Sequence, residues 1–115
     1  HLLTTVPELE RYVTGRGAIG DYLVQIFKDY VADSYAWAKE IWDLSAVAYL
    51  LNPEWVPAEL ARSPILTPEL TWRVGEARPW IRRAFFVHRN PIFADLFRKL
   101  EAHGRNTSAS KQTPE

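Results

Sequence analysis

The sequence predicts a mixed α/β domain, helix-rich with a few short strands, and three observations lead there. Apolar residues recur at three- and four-residue intervals near both ends of the chain, the period of a helix that rests one face on a core. Residues 44–51 are apolar or aromatic at every position but Ser45, so this segment shows no polar face and reads as a helix, or a strand, buried on most sides. Five prolines (Pro53, Pro57, Pro64, Pro68 and Pro79) leave only short extended pieces in the middle of the chain.

Taken in order, Thr5-Val6-Pro7-Glu8 has the form of a helix start, with Thr5 as cap, Pro7 in the first turn and Glu8 reaching back in a capping box. This helix should run to about Val13 and stop at Thr14-Gly15-Arg16-Gly17. Ile19, Leu23, Ile26, Phe27, Tyr30 and Val31 form the inward stripe of a second helix from 18 to about 30, with Asp21, Gln25, Lys28 and Asp29 outside. Positions 31–39 are mixed and read as a helix end or loop. The apolar segment stops at Asn52-Pro53, because proline disfavours helical geometry in the residue before it. Residues 58–66 and 70–74 read as short strands or extended segments. Residues 80–87 read as a stronger strand, whose last four positions are apolar on both faces, as a covered strand requires. Asn90-Pro91 opens a final helix with Ile92, Phe93, Leu96, Phe97 and Leu100 inward and Gly104 as its stop. Residues 104–115 carry no apolar anchor beyond that stop and should be a disordered tail.

At 115 residues the chain has the length of one domain, able to bury about 65% of its unfolded surface. Fourteen basic and fourteen acidic residues balance to zero formal charge, which gives no basic excess for nucleic acid or an anionic membrane. The absence of cysteine excludes disulfides, thiolate metal sites and cysteine nucleophiles, and fits a cytoplasmic setting. No apolar run approaches the ~20 residues of a membrane span, and no signal-peptide pattern is present. The chain starts at His1 and contains no methionine, so it reads as a C-terminal piece of a longer protein.

The candidates for chemistry are few. His1, His88 and His103 stand at no telling distance from a serine or carboxylate and read as structural or exposed. Gly15-Arg16-Gly17 with Gly20 lacks the preceding strand of a phosphate loop and reads as a link between helices. Asp43 is the unusual residue, a lone carboxylate at the threshold of the apolar segment, where a buried charge is costly unless helix N–H groups, the helix dipole or a cation compensates. It reads as a helix N-cap or as a metal ligand. Trp42 beside it is a core or contact aromatic or a ligand platform, and Tyr30, Tyr35 and Trp37 line a pocket or simply pack.

The stretch Ile41-Trp42-Asp43-Leu44-Ser45-Ala46-Val47-Ala48-Tyr49-Leu50-Leu51-Asn52-Pro53, followed by a proline-broken strand region and by Phe85-Phe86-Val87-His88-Arg89-Asn90-Pro91-Ile92-Phe93, resembles the C-terminal part of the nucleoside hydrolase family. The opening His1-Leu2-Leu3-Thr4-Thr5-Val6-Pro7 also looks like the stretch after a late central strand of that fold, so the resemblance covers residues 1–103. It implies the C-terminal portion of an open mixed-sheet α/β fold. It also implies a calcium-dependent N-ribohydrolase, homo-oligomeric at full length, that cleaves a nucleoside to ribose and base. Asp43 matches the family's late calcium ligand. Many members carry histidine before that aspartate as leaving-group acid. Purine-preferring members carry tryptophan there, so Trp42 is expected to stack on a purine, and Tyr30 matches a tyrosine near the substrate.

The family's Asp-rich motif (Asp-x-Asp-x-x-x-Asp-Asp), its catalytic base and its ribose-binding residues would all precede His1. The resemblance therefore implies that this chain alone holds one calcium ligand of several and is inactive by itself. The competing expectation is a free-standing, non-catalytic module that keeps part of this fold and uses its aromatic residues for protein contact.

Overall fold

The computed structural model describes residues 1–110. Among them, four α-helices, one 3-10 turn and three separate two-stranded antiparallel sheets make up a mixed α/β chain. The order is β1 (Leu3–Thr4), α1 (Val6–Tyr12), α2 (Ala18–Asp29), β2 (Lys39–Glu40), α3 (Leu44–Leu51), the 3-10 turn Pro53–Trp55, β3 (Ala58–Arg62), β4 (Ile65–Leu66), β5 (Trp72–Arg73), β6 (Trp80–Ala84) and α4 (Arg89–Ser110). The helical body is stapled by β1–β2, and the other two sheets form an arm.

The first turn of α1 forms as the sequence dictates. Thr5 is extended, its hydroxyl accepts the Glu8 N–H at 3.4 Å, and Pro7 occupies a position with no N–H to lose. Glu8 does not close the capping box. Its carboxylate instead accepts the Thr4 hydroxyl at 2.7 Å and pairs with Arg89 from the start of α4. Arg89 also donates to the Leu3 carbonyl at 2.7 Å and lies 4.4 Å from the Phe93 ring centroid, so one guanidinium ties β1, α1 and α4 together. Lys28–Glu10 and Arg16–Glu101 pairs, each at 2.6 Å, link α2 to α1 and α4 to the turn between them.

The core lies between these helices. Leu2, Val13, Val24, Ala48, Val56, Ile92, Phe93 and Phe97 are buried together, with Phe93 among the most fully enclosed side chains. The α2 stripe is rotated from the expected one. Gly20, Val24 and Phe27 face inward, whereas Ile19, Leu23 and Ile26 are 41–51% exposed. Gly20 turns inward because Val13 presses on it, leaving no room for a larger side chain.

Three expectations are corrected. The apolar segment is a helix, and it ends at Leu51 with Asn52 extended before Pro53, but it is not buried on most sides. Only Ala48 is enclosed, while Val47, Leu50 and Leu51 are 52%, 82% and 55% exposed. The strand beginning at Trp80 stops at Ala84 and is exposed along its whole length, because its sole partner is β3 and nothing covers either face. Gly104 does not end the last helix. A Cβ there would overlap the Arg16 carbonyl oxygen, so this glycine is where α4 crosses the Gly15–Gly17 turn, and the helix continues through Ser110. The expected disordered tail is therefore helical as far as Ser110, and its remainder, 111–115, lies outside the described residues.

Candidate functional site

The residues at the entrance to α3 come from a tight turn. Leu44 N–H bonds to the Ile41 carbonyl at 3.3 Å, and the Trp42 carbonyl accepts both the Ser45 N–H (3.1 Å) and the Ser45 hydroxyl (2.8 Å). This turn satisfies backbone groups at the helix start and leaves Asp43 in helical geometry (φ −65°, ψ −19°), where its side chain makes no capping bond. Asp43 is solvent-exposed, and among the described residues its carboxylate has no hydrogen-bond or ion-pair partner. The expectation of a costly buried charge is therefore corrected, and so is the N-cap hydrogen bond: α3 opens at the surface, where a carboxylate keeps its hydration.

Trp42 is 72% exposed and borders a small cavity of about 180 Å³ with His1, Leu2, Glu40, Ser45 and Val87. Tyr30 is not brought to it. Its ring stacks on Trp37, with centroids 6.0 Å apart, carries the Lys39 ammonium 3.9 Å from its centroid, and borders a different cavity between α1, α2 and α4. Adjacency in sequence thus joins Trp42 to Asp43, while the expected substrate contact from Tyr30 belongs to another part of the surface.

Calcium takes six to eight oxygen ligands. Among the described residues no group of three or more His, Asp or Glu side chains gathers at one place, and Asp43 offers a single carboxylate. The residues of this chain by themselves do not fit a complete calcium site. His88 is exposed and packs edge-on against Phe86, with ring centroids 5.1 Å apart, and has no carboxylate partner among the described residues.

Sequence reasoning passed over Lys39. It lies in a stretch without periodicity, and its position is set by β2 pairing with β1 across 35 positions (Thr4 opposite Lys39), which no local pattern announces. No helix among the described residues is long and apolar enough to cross a membrane. In comparisons with known proteins, no family model, no curated protein and no solved structure matches this chain.

Proposed function

We propose that this chain contributes one edge of the active site of a calcium-dependent N-ribohydrolase acting on purine nucleosides, the other metal ligands coming from residues outside it. The observation behind this reading is the placement, on consecutive positions at the exposed entrance of α3, of a carboxylate without a partner and an open indole face. Such a carboxylate is available as one hard oxygen ligand. Such an indole offers a surface on which a purine would stack, and it lacks the ionisable proton that would make it a leaving-group acid. The reading carries with it a cytoplasmic, homo-oligomeric full-length protein, and no turnover by the 115-residue chain alone.

The test is release of free base from inosine and uridine by the natural gene product that contains this chain. Asp43→Ala should abolish metal-dependent turnover, and Trp42→Ala should lower purine turnover far more than pyrimidine turnover. Full activity of Asp43→Ala would sink the metal role, and equal losses for both base classes would remove the stacking role. A non-catalytic interaction module is the second reading, favoured by the uncovered Val47, Leu50 and Leu51 on α3. A monodisperse, folded product that hydrolyses neither nucleoside would support it.

A further inference from the structure

The cavity between α1, α2 and α4 is not used by the nucleoside reading, since neither Trp42 nor Asp43 borders it. It encloses about 270 Å³, near the lower end of small-molecule sites, and one side is open between Leu23, Ile26 and Tyr30. Apart from Thr4, Tyr30 and Lys39, every residue lining it is aliphatic or phenylalanine. Thr4 is 2% exposed and its hydroxyl is already committed to Glu8, so the floor presents no free donor. The remaining polar groups are at the rim. Lys39 is half-buried and lies on the Tyr30 ring, and no carboxylate pairs with it among the described residues.

An apolar chamber with a single cation at its mouth selects by chemistry. A neutral apolar ligand would leave the ammonium uncompensated, a cationic one would be repelled, and a compact anion would gain nothing from the aliphatic interior. From the complementarity of that one charge and the apolar wall, we propose that this cavity binds a free fatty acid, with the acyl chain among Phe27, Phe93 and Phe97 and the carboxylate on Lys39 Nζ. The exposed Leu23 and Ile26, turned out of the core by the rotation of α2, would be covered by the acyl chain near its head.

The test is calorimetric titration of the 115-residue chain with dodecanoate below its micellar concentration, with dodecylammonium as the charge-reversed probe. One saturable site is expected for dodecanoate, and about tenfold weaker binding for dodecylammonium and for dodecanoate with Lys39→Gln, the size of one charge-assisted hydrogen bond. Lys39→Arg should restore the affinity, and Ile26→Trp, which blocks the opening from an exposed position, should abolish binding with the circular dichroism spectrum unchanged. Absence of saturable binding, equal affinity for the two probes, or dodecanoate binding indifferent to Lys39→Gln would overturn the proposal.

Discussion

The helical body and the β3–β6 arm are built from the same kinds of residue and held together differently. The body gathers its apolar side chains into one cluster, tied by Arg89 and by the Arg16–Glu101 and Lys28–Glu10 pairs. The arm, residues 58–84, contributes nothing to that cluster. Its strands pair in register from Ala58 opposite Ala84 to Arg62 opposite Trp80, yet Leu60, Leu66, Trp72, Val74 and Trp80 are all more than half exposed. What holds it is the ladder, the Arg83–Glu59 pair and the Arg62 guanidinium 4.1 Å from the centroid of Trp80. The arm also explains the radius of gyration of 18.7 Å, against about 13 Å for a compact chain near this length. Backbone pairing alone thus gives shape, and burial gives stability, because a two-stranded ribbon without a covered face is marginal in water.

The widest separation of the two regions should come from aromatic truncation. Phe93→Ala is expected to cost about 3–5 kcal/mol of unfolding free energy, through lost burial and the cavity left behind. Trp80→Ala should cost less than about 1 kcal/mol, since only an exposed cation–π contact is lost. Denaturant titration of both variants checks this. Comparable losses would mean that the arm is covered in solution by something not seen in the isolated chain.

A smaller effect tests the turn on which α4 rests. Alanine gains about 1 kcal/mol over glycine in a helix interior. At Gly104 the added Cβ meets a backbone carbonyl that cannot rotate away, so Gly104→Ala is expected to be net destabilising by about 1–3 kcal/mol. A rise in melting temperature would show that α4 is free of the turn.

The smallest effect lies at the arm's tip. The Glu69 carboxyl is held below the ordinary glutamate range by a hydrogen bond from its own backbone N–H and then by the Thr67 hydroxyl. A depressed folded-state value gives a stabilising contribution that is present above the unfolded value and is lost as pH falls through the folded one. Acidification below the ordinary glutamate range should therefore loosen the β4–β5 turn while leaving the body intact. Amide exchange at Leu70 and Thr71, compared with Phe93 and Phe97, reads this out; equal acceleration in both regions would contradict it.

Much of the chain was legible locally because the signals were local. Thr5 and Pro7 start α1, Asn52-Pro53 ends α3, and the 92–100 stripe of α4 buries Ile92, Phe93 and Phe97, since caps, proline geometry and helical period act within a few residues. The candidate site was legible only in part. The neighbours Trp42 and Asp43 are fixed by one turn, whereas the place of Tyr30 depends on Lys39 and Trp37, and hence on β1 meeting β2.

Composition and short-range pattern determined which segments are helical, where they begin and that the middle is extended. Long-range packing alone decided that α3 stands with its apolar residues uncovered, that Trp80 to Ala84 has no cover, that Gly104 is a crossing point, and that Lys39 guards an apolar cavity. The physical reason is that hydrophobicity states what a side chain would gain by burial, and only the neighbours present in space determine whether that burial occurs.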